Sequence, residues 1–147
     1  MHTLHIVCGL PASGKTTFSR ELAGAENAAF FDSDTATDLM IQAAHRAAGY
    51  DPHDRDSALY KATYREPVYE TLFALAKDNL SHTDVIIAGP FTSEVRDLPA
   101  WQFTLEARFP GHPVHIHHLT ISEEERLQRM QKRGALRDAS KLGSSKP

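Results

Sequence analysis

With one cysteine among 147 residues, the chain cannot close an internal disulfide, and a lone reduced thiol fits a cytoplasmic setting. No apolar run approaches the roughly 20 residues that cross a bilayer, which excludes a spanning helix from the reading. The N-terminus lacks the charged-then-apolar layout of a signal peptide, since its apolar stretch runs straight into a glycine-containing loop. Neither sign of charge dominates: 16 Lys and Arg against 19 Asp and Glu leave a net charge of -3. Bulk electrostatics therefore gives no support to nucleic-acid or membrane-surface binding. What is left is an ordinary globular composition, 41% hydrophobic and 24% charged. Residues 1–147 read as a single domain, long enough for a proper core and without internal repeats.

Against these absences one feature stands out. Gly9-Leu10-Pro11-Ala12-Ser13-Gly14-Lys15-Thr16 is a full match to the phosphate-binding loop G-x-x-x-x-G-K-[ST], the P-loop or Walker A pattern. Its context agrees: the apolar run Leu4, Ile6, Val7, Cys8 leads in as a buried strand, and Thr17 to Leu22 leads out as a helix. Glycines let such a loop wrap round phosphates with backbone N–H groups turned inward. The helix N-terminus, at Lys15 to Thr17, adds unpaired donors and partial positive charge. Lys15 would reach the β- and γ-phosphates, and the Thr16 hydroxyl would ligate Mg2+. The chain is expected to bind a nucleoside triphosphate. Cys8, in the lead-in strand, is expected to be a small buried residue and not a nucleophile.

Strands and helices then alternate. Strands are expected at 3–8, 28–31, 85–88 and 114–119, the third being a short unbroken apolar run of the parallel-sheet kind. Helices are expected at 15–23, 35–47, 57–80, 101–109 and 122–133, with Pro67 marking a kink or a restart in the long third one. Ser122 with Glu125 forms a capping box. Residues 49–54 read as a polar, turn-rich loop. The fold is a doubly wound α/β domain whose ligands sit at the carboxyl ends of the strands.

That geometry directs attention to Asp32-Ser33-Asp34 at the end of the second strand. Two carboxylates two residues apart can divide labour, one near Mg2+ and one accepting the proton of an attacking hydroxyl; alternatively either merely caps the following helix. The third strand, Val85-Ile86-Ile87-Ala88-Gly89-Pro90, lacks the acid on which motor and switch ATPases lean, which raises the weight on Asp32. Gly89, Pro90, Phe91 and Thr92 form either a substrate wall or a simple tight turn. Arg129, Arg133 and Arg137, four residues apart, would align on one helical face, with Gly134 as a hinge. They are either a mobile positive flap over the γ-phosphate or a solvated face paired with Glu123 to Glu125. His112, His115, His117 and His118 cluster at the fourth strand, where a structural role is favoured over zinc.

Over nearly its whole length the chain resembles the small P-loop kinases: nucleotide, gluconate, adenylylsulfate and shikimate kinases, with polynucleotide-kinase-like and zeta-toxin-like relatives. It is most similar to bacterial predicted kinases described as AAA-family or ATP-binding proteins. The resemblance rests on the P-loop with Thr17, Asp32-Ser33-Asp34, Asp54 to Ser57, Val68-Tyr69-Glu70, Val85 to Phe91 and Arg133 to Leu142. It implies a three-layer α/β/α P-loop domain of the nucleoside-monophosphate-kinase type with four to five parallel strands. By similarity to shikimate kinases, Asp32 would organise Mg2+ and Asp34 would meet the substrate hydroxyl. By similarity to nucleotide kinases, Arg129 would lie against the adenine and Arg133 or Arg137 on the phosphates. Two departures are visible: Ala88-Gly89-Pro90 replaces the glycine triplet of shikimate kinases, and no arginine closely follows Asp34 as in polynucleotide-kinase-like enzymes. Relatives also continue into a further strand or helix after the lid, so the fourth strand is expected to be the last here.

In such kinases the segment between the strand-two acids and the third strand forms the acceptor pocket, here residues 48–80, offering Tyr50, His53, Arg55, Tyr60, Tyr64 and Arg65. Arg55 and Arg65 would grip an anionic acceptor through forked hydrogen bonds, or else are solvated helix arginines. Residues 129–141 would form the lid and 142–147 a disordered tail. The expected function is an ATP- and Mg2+-dependent kinase acting on a hydroxyl of a small molecule. Lys15 and Arg133 would stabilise the transferred charge, Asp34 would take the proton, and Thr16 with Asp32 would hold the metal. A polynucleotide 5′-hydroxyl kinase and an acceptor-free ATPase or switch are the alternatives.

Overall fold

The computed structural model describes residues 1–121 and 123–133. Strand β1 (Leu4–Cys8) is buried along its full length, as its unbroken apolar reading requires of a strand covered on both faces. It leads through the P-loop into α1 (Lys15–Glu26), followed by β2 (Ala29–Asp32) and α2 (Ser33–Ala48). A long α3 (Ala58–Asn79) leads to β3 (Val85–Gly89), then α4 (Leu98–Arg108), β4 (Val114–His118) and α5 (Glu123–Arg133). All strand pairings are parallel, in the order β2-β3-β1-β4. The four strands therefore present their carboxyl ends, with the P-loop, Asp32 and Gly89, along one edge.

Alternation along the strands divides the core. Leu4, Ile6, Val85, Ile87 and Val114 face Ile41 of α2, Val68, Leu72 and Phe73 of α3, and Trp101 and Leu105 of α4. Val7, Ile86 and Ala88 face Phe18 and Leu22 of α1 on the opposite side. The result is the expected three-layer sandwich. Each fully buried Leu, Ile or Val contributes about 1.5–3 kcal/mol relative to exposure. Phe91, just beyond β3, closes the larger core: its ring stacks on Tyr69 at 4.1 Å and meets Trp101 at 5.0 Å.

Side-chain caps set where the helices begin. Asp32 Oδ2 accepts from the N–H groups of Asp34 and Thr35, so α2 starts at Ser33, two residues before the sequence reading placed it. Asp97 caps Ala100 with Pro99 in the first turn, so α4 begins at Leu98 and not at Trp101. A 3-10 turn, Glu94–Asp97, precedes it. Pro67 neither ends nor restarts α3, which runs unbroken through it. Thr63 and Pro67 lie on the exposed side, where solvent reaches the carbonyl that proline leaves without a donor. Ser122 of the expected capping box, Gly134, most of the expected lid and the 142–147 tail lie outside the described residues.

Candidate active site

The P-loop takes a shape that its sequence pays for in backbone conformation. Gly9 and Gly14 have φ of +150° and +95°, and Ala12, with a side chain, sits at +64°. Such left-handed values cost little only at glycine, so Ala12 holds local strain of the kind found at ligand-binding loops. A Cβ on Gly9 would lie 2.6 Å from the Leu119 carbonyl oxygen and 2.7 Å from Ser13 Oγ. Gly14 is the N-cap of α1, whose first turn contains no acidic residue to compete with an anion. Lys15 Nζ donates to the carbonyls of Gly9, at 2.7 Å, and Leu10, at 3.0 Å, bridging the mouth of the loop. Ser13 Oγ is buried without a hydrogen-bond partner among the described residues.

From the loop a continuous cleft of about 1210 Å³ opens toward α3. Of the residues expected from sequence, Pro11, Ala12, Ser13, Gly14, Lys15, Thr16, Thr17, Asp32, Asp34, Arg55, Arg65, Pro90 and Arg129 all line it. Gly9 and Gly89 are not among its lining residues. At Gly89 a Cβ would come within 3.2 Å of the Phe91 ring and 3.3 Å of Tyr69, so close aromatic packing accounts for this glycine. Pro90 and Thr92, on either side of Phe91, supply the wall itself. Arg133 ends α5, with its side chain outside the description, and Arg137 lies outside the described residues.

The arginines divide into two kinds. Arg55 is buried, paired with Asp38 of α2, and donates to the carbonyls of Pro52 (3.1 Å) and Asp54 (2.8 Å). Its guanidinium also lies over the Tyr60 ring at 5.4 Å. Although it borders the cleft, it staples the 49–57 loop to α2. His45 does the same from the other side: its ring, 1% exposed, reaches the Asp51 carbonyl at 2.7 Å. Arg65 is held loosely, 3.4 Å from both Thr92 Oγ1 and Glu94 Oε2, over the Tyr69 ring. Arg129 leans over the P-loop, donating to the Ala12 carbonyl at 3.3 Å and to Glu125 at 3.2 Å.

Sequence reasoning passed over Lys61, Tyr69 and Lys132 as members of the cleft. The spacing Lys61, Arg65, Val68, Tyr69 is that of one helical face, a signal present in the sequence but inseparable there from an ordinary amphipathic helix. Burial pushes the Tyr69 phenol up to about 12, so it stays protonated at neutral pH. Cys8 is buried with its thiol pushed up to about 11, consistent with a packing residue. Among the described residues no group of His, Cys, Asp and Glu forms a metal cluster, and no helix is long and apolar enough to cross a membrane.

A parallel α/β/α sheet with a P-loop between β1 and α1 defines a P-loop nucleotide-binding domain, here with carboxylates at the end of β2. The chain belongs to the AAA domain family whose model matches residues 4–145. Solved structures share this fold. A Chloroflexus aurantiacus protein matches with a TM-score of 0.66 at 20% identity, over 99% of this chain and 71% of its own. A sugar kinase from a Janibacter species matches with a TM-score of 0.60 at 18% identity, over 99% of this chain and 78% of its own. Shikimate kinase from Acinetobacter baumannii, solved with shikimate, matches with a TM-score of 0.56 at 20% identity, over 98% and 74%. Among curated proteins none matches.

Proposed function

We propose that this protein is an ATP- and Mg2+-dependent kinase that transfers the γ-phosphoryl group to a hydroxyl of a small-molecule acceptor. One observation carries the reading: the P-loop, the Asp34 carboxylate and Arg65 line a single cleft, so phosphate donor and acceptor fit into one space. In the reaction a bond forms between the acceptor oxygen and the γ-phosphorus, the bridging bond to the β-phosphate breaks, and the hydroxyl proton passes to Asp34. Lys15 supplies positive charge at the phosphates, joined by Arg129 above the loop and by Arg133 further along α5.

Thr16 and Asp32 suit Mg2+, a hard cation that takes oxygen ligands and keeps several waters. The hydrogen bonds observed at Asp32 all fall on Oδ2, so the carboxylate can cap α2 and still offer a ligand oxygen. Bound there, the metal would neutralise charge on the phosphates. Arg65, with Lys61 one helical turn away, faces the acceptor, while Arg55 shapes the wall from behind.

Transfer from ATP is to be measured with sugars, carboxylated polyols, amino alcohols, nucleosides and oligonucleotides. Asp34→Asn is expected to keep the thermal stabilisation produced by ATP and to lose transfer by about 10²–10⁴-fold, the usual contribution of a general base. Lys15→Ala is expected to lose both. Full transfer by Asp34→Asn would overturn the base assignment; turnover confined to oligonucleotides, or hydrolysis unaffected by every acceptor, would overturn the small-molecule reading.

A further inference from the structure

The turn after β3 is held from outside by one phenol. Tyr69, 22 positions earlier on α3, accepts a hydrogen bond from the Phe91 N–H at 2.8 Å, in a buried contact. Phe91 has a φ of +46°, a left-handed conformation that an aromatic residue adopts only when its surroundings enforce it. The enforcement is visible: the Tyr69 and Phe91 rings stack 18° from parallel, and Gly89 has no room for a side chain beneath them.

The same tyrosine touches the other half of the wall. Its ring lies 5.8 Å from the Arg65 guanidinium carbon, whose Nη2 is 3.4 Å from the hydroxyl of Thr92. Thr92 follows Phe91 directly, so the phenol oxygen fixes where Thr92 stands while the ring face supports Arg65. One side chain thereby sets both members of the Arg65–Thr92 pair.

Resting on the acceptor assignment above, we infer that Tyr69 is a positioning residue: it holds Arg65 and Thr92 in register and so sets how tightly the acceptor binds, without touching the transferred phosphoryl group. Loss of its hydroxyl should therefore weaken acceptor binding while leaving the phosphate donor and the proton transfer alone.

The test is steady-state kinetics with whichever compound of the acceptor panel the wild-type chain phosphorylates. Tyr69→Phe is expected to raise the acceptor KM about tenfold, with kcat and the KM for ATP within about twofold, as for a lost binding interaction realised equally in ground and transition states. A merely structural tyrosine would lower kcat and disturb both KM values together with the melting temperature. Because the Tyr69 hydroxyl acts through Thr92, the Tyr69→Phe/Thr92→Val double variant is expected to have the acceptor KM of Thr92→Val alone. Where Tyr69→Phe does not fold, Thr92→Val, which removes the hydroxyl of the Arg65–Thr92 pair, must give the same rise. An unchanged acceptor KM, or additive effects in the double variant, would overturn the inference while leaving the kinase reading intact. If the wild-type chain phosphorylates none of the panel, the kinase reading falls first and this inference with it.

Discussion

At Gly9 the chain has no tolerance for a side chain, because the neighbour a Cβ would strike is the Leu119 backbone carbonyl, which cannot rotate away. Gly9→Ala is therefore expected to destabilise the fold by roughly 2 kcal/mol or more, by chemical denaturation, through strain plus clash. Gly24 is the built-in control: in the last turn of α1, nothing would meet its Cβ within 4 Å, and Gly24→Ala should gain about 0.4–1 kcal/mol. Residues of the first kind are legible in a sequence because the loop motif dictates them. The Asp32 and Asp34 carboxylates were legible for the same reason, as acids following a strand. Asp32 proved to serve as a helix cap, and capping and metal binding are compatible in one carboxylate. Tyr69 was not legible as a wall residue, since its partner Phe91 lies far along the chain and nothing local to α3 marks the pairing.

The elements themselves followed from hydrophobic runs and breakers, while their ends were decided by caps that only the folded backbone makes explicit. At β4 the pairing adds something that neither strand shows alone. Register His5↔His115 and Val7↔His117 brings His5 of β1 onto the face of the fourth-strand histidines. Its Nδ1 lies 3.0 Å from His117 Nε2, and its ring meets His115 edge-on at 5.4 Å. Burial first, then the neighbouring imidazoles, hold His5 below the ordinary histidine value; burial and then His115 do the same for His117. Asp84 and Glu26 act on His5 in the opposite sense but do not reverse it.

The unfolded chain then takes up protons that the folded chain refuses, so the histidines' contribution to stability is complete about one pH unit above 6.5 and is lost as pH falls through that value. The melting temperature is expected to drop between about pH 7.5 and about pH 5.5. His117→Gln should make that drop smaller. An equal drop in the variant would show that other groups govern this pH range.

At the scale of the molecule, parallel pairing puts every functional segment on one edge although they are scattered through the chain. The P-loop, Asp34, Arg65 and Thr92 meet because β1, β2 and β3 are neighbours in the sheet. This convergence could be read from the alternation of strands and helices, since parallel strands force crossovers that return each carboxyl end to the same side. The division of labour among the arginines could not. Arg55 and Arg65 look alike in sequence, ten positions apart, but Asp38 and two loop carbonyls hold one of them buried while Glu94 and Thr92 hold the other at 3.4 Å.

The single tryptophan adds a practical property. Trp101 is buried, in ring contact with Phe91, and lines no part of the cleft. A compound that seats against Pro90 and Thr92 presses on the residue between them, and that residue leans on an indole. The emission of the unlabelled protein is thus expected to report on compounds bound beside Pro90 and Thr92. Candidate acceptors can be ranked by the change they cause in its emission before any of them has been seen to turn over.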